Sequence, residues 1–296
     1  MSPLPRVSVI IPTYNRSKVL RHATASALAQ TFADFELLVV GDCCTDDSAA
    51  IVAGFADPRI RWFNLPVNSG HQSAPNNEGL RQAKGELIAY LGHDDLWFRH
   101  HLETLVAGID VGADIVSGMT EMVGPDESRL DIAPPETTFN PGLWLPPTGL
   151  MHRRSASERV GGWRDYRQTA FDPENDLCER AIAAGARFVV LSRLTAVKFP
   201  AAWSKDVYRL NDDSQQVAWL ARIAGEPDIE RHEMARLILA GKRGQLPAIH
   251  PYRKLWIELF RQSLRWPAAR ARSLCLRLGA KGARIDAARR HKGLGP

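Results

Sequence analysis

Four apolar runs, Val7 to Ile11, Phe35 to Val40, Ile60 to Asn64 and Leu87 to Leu91, alternate with helical patterns over the first 97 residues. Short apolar runs bounded by turn signals read as buried strands. Strands that alternate with helices predict a mostly parallel, twisted sheet with helices on both faces. Ser17 is expected to cap the first helix, and further helices are expected to start near Asp46 and after Asn68-Ser69-Gly70. A parallel sheet gathers the carboxyl ends of its strands at one edge, where open α/β folds bind ligands. In this chain those ends carry Pro12-Thr13-Tyr14-Asn15, Asp42 and the adjacent pair Asp94-Asp95.

Two neighbouring carboxylates repel each other unless a cation or water separates them. A hard divalent cation such as Mg²⁺ takes oxygen ligands and bridges carboxylates to substrate phosphates. Asp also favours helix N-caps, so the stretch Glu86–Trp97 leaves a metal site and a cap both open. The chain lacks GxGxxG after its first strand and lacks GxxxxGK[ST]. That argues against a dinucleotide fold and against a P-loop NTPase.

Beyond Trp97 the pattern predicts a helix over 99–109 and a strand over 114–119. A surface loop rich in Pro and acids is expected over 124–142, then a short strand pair within 143–152. A helix opens at Phe171-Asp172-Pro173-Glu174-Asn175-Asp176-Leu177 and ends at Gly185. Strands at 187–191 and 196–199 follow, and the chain is helical from Asp213. The domains expected are 1–205, with halves 1–97 and 98–205, and a helical extension 206–296. From Arg253 onward twelve Lys and Arg face two acids, Glu258 and Asp286, while the rest holds 26 basic and 31 acidic residues. No apolar run nears the roughly 18 residues of a membrane span, the start has no signal-peptide pattern, and the four cysteines show no CxxC spacing. A cytoplasmic location is expected.

Several ordered motifs across residues 5–200 resemble the inverting family 2 glycosyltransferases of the GT-A fold. VSVIIPTYN is similar to that family's first strand and nucleotide-contacting turn. VVGDCCTDDS is similar to its DDGSTD segment. The run NSGHQSAPNNEGLRQAKGELIAYLGHDDLW resembles the stretch that contains the DxD-type metal motif. GLMHRR, GGWRDY and PENDLCERAIAAG resemble the acceptor half with its acidic ED-type motif. The chain departs from the pattern at Gly41 and Gly92, where the family has acids, and at Asn76, where many members have Arg.

The resemblance implies transfer of a sugar from a nucleotide-diphosphate sugar, a UDP-sugar foremost, to a glycan or lipid-linked acceptor hydroxyl with inversion. Pro12, Thr13, Tyr14, Asn15, Asp42, Asn77 and Asp94 are the implied nucleotide-sugar contacts. Asp94 and Asp95 are the implied ligands of Mn²⁺ or Mg²⁺. Glu174 is the implied general base, with Asp172 and Asp176 as rivals because Pro173 shifts the register. Asp42 and Glu174 are also ordinary residues for helix starts. His152 beside Arg153 and Arg154 suggests an acceptor-side or pyrophosphate contact, and Trp144 and Trp163 suit either sugar stacking or the core.

A second reading is a non-catalytic nucleotide-sugar-binding subunit of the same fold, on account of Gly41 and Gly92. Over 252–278 apolar residues alternate with Arg, which suits either packing on the body or peripheral contact with an anionic membrane through 252–296, on the inner face of the cytoplasmic membrane. No nucleic-acid partner is expected, since the body is acidic and no binding module is present.

Overall fold

The computed structural model describes residues 4–127, 130–134, 138–139, 144–169, 172–242, 285 and 289–294. Strands β1 (Val7–Thr13), β2 (Phe35–Gly41), β3 (Ile60–Asn64) and β4 (Leu87–Tyr90) lie in the order β3-β2-β1-β4, all parallel. Every residue of β1, β2 and β4 is buried, which is why these runs are continuously apolar and not alternating. Helices α1 (Ser17–Leu28), α2 (Ser48–Ala53) and α3 (Ser73–Gln82) connect them. Arg16, not Ser17, is the N-cap residue of α1.

The pleat of the strands sends successive side chains to two cores. Val7, Val9, Ile11, Leu37 and Val39 pack with Leu20, Ala23 and Ala27 of α1 and with Leu102, Leu105 and Ile109 of α4 (His101–Asp110). Ile10, Leu38, Ile88 and Tyr90 pack on the other face with Leu80 of α3 and with Leu177, Cys178 and Ala181 of α6 (Pro173–Ala183). Helices therefore cover both faces.

The sheet continues through β5 (Leu96–Trp97), β6 (Ile115–Val123), β7 (Leu130–Ala133), β8 (Leu150–Arg153) and β9 (Phe188–Lys198), in the order β4-β8-β6-β9-β5 with β7 on β6. β6 and β9 run with the first four strands, whereas β8, β7 and β5 run against them. A short helix, α5 (Arg154–Glu158), follows β8.

Three expectations change here. Part of the region 124–142 is not loop: β7 pairs with β6 from Leu130–Val123 to Ala133–Thr120. The two strands expected at 187–191 and 196–199 are one, β9, which bends through register shifts against Gly118–Thr120 of β6. Exposed Ser192 and Arg193 interrupt its apolar pattern at the bend and hide the continuity. In place of a strand pair within 143–152, a 3-10 turn over Pro147–Gly149 leads into the single strand β8.

Past Lys198 come α7 (Val207–Leu210), α8 (Ser214–Gly225) and α9 (Ile229–Lys242). Trp219, Ile223, Ile229 and Leu237 pack against Leu96, Phe98, Val123, Leu194 and Val197 in a third core. The amphipathic pattern at 252–278 lies outside the described residues. No helix among the described residues is long and apolar enough to cross a membrane.

Candidate active site

A cavity of about 540 Å³ opens at the carboxyl edge of β1, β2 and β4. Pro12, Thr13 and Tyr14 line it from the end of β1, Asp42 from the end of β2, and Asp94 from the turn after β4. Asp172 and Glu174 reach it from the start of α6. The convergence predicted from the strand ends is therefore real. The helix-cap readings of Asp42 and of the Asp94-Asp95 pair do not hold. Asp95 is followed by β5, and α2 begins only at Ser48, with Asp47 as its cap residue.

Asp42 is 3% exposed and accepts three hydrogen bonds from the loop beyond β3. Ser69 N–H donates to Oδ1 at 2.9 Å, and Ser69 Oγ–H and Gly70 N–H donate to Oδ2, each at 3.0 Å. This carboxylate shapes the rim of the cavity as well as lining it. The Thr13 hydroxyl is buried with no partner among the described residues.

Asp94 and Asp95 are adjacent in sequence and separate in environment. No hydrogen bond to the Asp94 carboxylate occurs among the described residues. Burial works against its charged form, but His93, Lys198, Arg16 and Lys292 outweigh burial and hold it below the ordinary carboxylate value. Asp95 has 0% exposure and full hydrogen bonding. Lys198 Nζ donates to Oδ2 at 2.8 Å, the Thr148 hydroxyl donates to the same oxygen, and Phe199 N–H donates to Oδ1 at 3.2 Å. Burial favours neutral Lys198, yet Asp95 and Asp94 more than compensate and raise its pKa.

The two departures from an acid have steric reasons. A Cβ at Gly92 would stand 2.5 Å from Asp95 Oδ2, and one at Gly41 would stand 2.5 Å from Asn64 Oδ1. Asn64 Oδ1 is itself fixed by Cys44 N–H at 2.8 Å.

Glu174 sits in the first turn of α6, after Pro173, which suits that position because its missing N–H has no partner to lose there. Its side chain is 4% exposed. Trp144 Nε1–H donates to Oε1 at 3.1 Å. Burial first, and then the neighbouring charge of Asp172, raise its pKa to about 8. Asp172 is the residue preceding α6. Asp176 lies away from the cavity, paired with Arg180 at 2.8 Å and Arg164 at 3.5 Å.

Asn15 and Asn77 do not line the cavity either. Asn15, at φ 46°, accepts at Oδ1 from Thr45 N–H at 2.8 Å and so pins the loop after β2. Asn77 staples α3 to the turn at Gly161-Gly162-Trp163: its Nδ2–H donates to the Trp163 carbonyl at 2.8 Å, and Trp163 N–H donates to Oδ1 at 2.9 Å. His152 is a core residue, not an acceptor contact. It is 2% exposed and meets the Tyr90 hydroxyl at 3.0 Å. Arg153 pairs with Glu86, and Arg154 donates to the Ala83 carbonyl at 2.9 Å. Trp163 is buried in the core, while Trp144 is in the cavity wall.

From the sequence, Lys198 and Arg154 suit either positive charge near a phosphate or ordinary surface and ion-pair roles. The structure puts Lys198 in the cavity wall and in an ion pair with Asp95. Sequence reasoning missed Tyr208, Arg289 and Lys292, which also line the cavity. Lys198 carries a signal in retrospect, since it is a lone cation between Ala196-Val197 and Phe199 at a strand end.

A model of glycosyl transferase family 2 matches residues 8–172. Over 120 residues the chain is 36% identical to a GalNAc(5)-diNAcBac-PP-undecaprenol beta-1,3-glucosyltransferase of Campylobacter jejuni, covering 39% of this chain and 38% of that protein. Over 101 residues it is 36% identical to the UDP-Glc:alpha-D-GlcNAc-diphosphoundecaprenol beta-1,3-glucosyltransferase WfgD of Escherichia coli, covering 34% and 40%. The matches thus span well under two thirds of these relatives. A mannosyltransferase of Pyrobaculum calidifontis, solved with GDP-Man and Mn²⁺, superposes over 99% of this chain and 84% of its own, at TM-score 0.54 and 22% identity. That likeness concerns the fold.

Proposed function

Because this chain belongs to glycosyl transferase family 2, we propose that it moves a sugar from a nucleotide-diphosphate sugar to a hydroxyl of a glycan or lipid-linked acceptor, with inversion at the anomeric carbon. The observation that carries this reading is Glu174: a buried carboxyl with a pKa near 8 in the same cavity as Thr13, Asp42 and Asp94.

A general base works best when its pKa lies near the working pH. Glu174 takes the proton of the acceptor hydroxyl at a carboxylate oxygen as the hydroxyl oxygen attacks the anomeric carbon. The bond from that carbon to the diphosphate oxygen breaks as the new bond forms, and its electron pair leaves with the diphosphate. Trp144 holds Oε1 by its N–H, which orients the carboxyl. Asp42 and the strand-end residues Pro12, Thr13 and Tyr14 are assigned to the nucleotide. Asn15 and Asn77 act one layer out, by fixing the loop and the turn that border the cavity.

The donor set suits Mn²⁺ or Mg²⁺ in a spare form. Among the described residues no group of three His, Cys, Asp or Glu could hold a metal. Asp94, whose carboxylate has no hydrogen bond among the described residues, would supply one oxygen ligand, and these ions commonly take one or two carboxylates plus substrate phosphates and water. When bound, the ion would offset charge that grows on the departing diphosphate. Asp95 is assigned a different task, that of holding Lys198.

The lipid-linked acceptors in the relatives' names support a lipid-diphosphate-linked glycan as the acceptor class. The test is nucleotide release from UDP-, GDP- and dTDP-sugars, with and without Mn²⁺, in the presence of membrane lipid extract. Nucleotide release by wild type and not by Glu174→Gln supports transfer. Tight nucleotide binding without turnover of any donor would favour the non-catalytic binding subunit.

A further inference from the structure

Three cations, Lys198, Arg16 and Lys292, act on Asp94, and Arg289 acts on Lys292. Lys198 is tied to Asp95. Arg289 and Lys292 line the cavity from a segment far along the chain. Arg16, 1% exposed, lies in the wall of an adjoining cavity that also includes Asp94. Its Nε and Nη1 have no partner among the described residues. Its guanidinium sits 5.2 Å from the ring centre of Tyr208, which lines the main cavity.

The segment is docked by hydrogen bonds. Asp206 N–H donates to the His291 carbonyl at 3.1 Å, and Tyr208 N–H donates to the Lys292 carbonyl at 3.3 Å. Arg289 donates to the Gly70 carbonyl. Gly70 N–H in turn donates to Asp42, so the cation-bearing segment touches the loop that the Asp42 carboxylate shapes. Like charges brought together away from water repel strongly. A buried guanidinium with unpaired N–H groups is costly unless an anion meets it. Asp95 offsets Lys198, Asp42 is taken up by Ser69 and Gly70, and Arg289 and Lys292 share the cavity wall with Asp94.

We propose that Lys292 and Arg289, with Lys198 and with Arg16 behind Tyr208, form a cationic seat for the diphosphate of the nucleotide donor. The seat binds that group without requiring a metal ion and takes up the charge left on the nucleotide after transfer. This rests on the nucleotide-sugar reading for the identity of the diphosphate.

The test is calorimetric titration of the full chain with UDP, GDP, uridine and inorganic pyrophosphate, in EDTA and again with Mn²⁺. The variants are Lys292→Met, Arg289→Gln and the charge-keeping Lys292→Arg. In EDTA, UDP or GDP is expected to bind wild type at least about 10-fold more tightly than uridine. Lys292→Met and Arg289→Gln are each expected to weaken nucleoside diphosphate and pyrophosphate by about 10-fold or more, the size of a lost charge-assisted hydrogen bond. Uridine binding should not move, and Lys292→Arg should behave as wild type. Equal pyrophosphate and nucleotide affinities in wild type and both charge-removing variants overturn the seat, as does the absence of any diphosphate binding. Pyrophosphate binding that depends on Lys292, with no nucleotide bound at all, keeps the seat and removes the nucleotide-sugar reading.

Discussion

The Nζ of Lys198 lies 2.8 Å from Oδ2 of Asp95, and that carboxylate is wholly buried. One residue earlier, Asp94 lines the cavity without a hydrogen bond to its carboxylate among the described residues. The pair that reads as one motif in the sequence thus splits into a cavity-facing acid and a structural acid. Asp95→Ala leaves Lys198 as a buried cation without its partner and should cost about 3–5 kcal/mol in chemical denaturation. Asp94→Asn should unfold like wild type and lose the Mn²⁺ response of donor binding. A stable Asp95→Ala with full Mn²⁺ dependence lost would reverse these two assignments.

Glu174→Gln should keep donor binding within about twofold and lose about 10²–10⁴-fold in transfer rate, the usual worth of a general base. Calorimetry and single-turnover rates check the two halves separately. If Glu174→Gln turns over normally while Asp172→Asn is dead, the base is Asp172.

The pH dependence follows from the same carboxyl. A base must be ionised, and the Glu174 pKa is raised to about 8. The transfer rate should therefore rise with pH and level off above about 8. Asp172→Asn removes a like charge and should move the inflection to lower pH. The stability sign is opposite. A folded-state pKa above the ordinary carboxyl value means the folded protein holds a proton that the unfolded chain releases, so this group's contribution declines as pH climbs from about 4.5 to about 8. Glu174→Gln, which never ionises, should gain stability relative to wild type over that window. Denaturation midpoints at pH 5 and pH 9 provide the check.

Gly92→Asp is the substitution that would restore the family's acid. Its Cβ would meet Asp95 Oδ2 at 2.5 Å, and Lys198, Thr148 and Phe199 hold that oxygen's carboxylate in place. The variant should lose about 1–3 kcal/mol, as overpacked interiors do, and should bind Mn²⁺ no better than wild type. Tighter Mn²⁺ binding at unchanged stability would count against this account.

The first half of the fold is legible in the sequence because both faces of its parallel strands are covered. Complete burial turns β1, β2 and β4 into unbroken apolar runs, and the chemistry at their ends needs only the rule that parallel strands share an edge. The second half is harder to read because β7 is partly exposed and β9 bends through Ser192-Arg193. The cavity residues Thr13, Asp42, Asp94 and Glu174 are visible as polar residues at element ends. Asn15 and Asn77 carry the same signal, yet they serve loop and turn geometry, since an Asn that pins a backbone looks the same in sequence as one that meets a ligand. Lys292 and Arg289 could not be found locally, because only the folded chain brings residues separated by nearly 200 positions to Asp94.

Gln216 of α8 donates from Nε2 to the main-chain carbonyl of Asp94 at 3.0 Å, and Asp213 just before α8 meets His22 of α1 at 2.9 Å. For anyone recombining members of this family, this sets where a splice can fall. A chimera joined at 205, with a foreign helical extension, would exchange the support of the Asp94 turn together with the extension. A junction placed after α9 would leave that support native but would still exchange Arg289 and Lys292 in the cavity wall, so neither junction leaves the donor side of the cavity untouched.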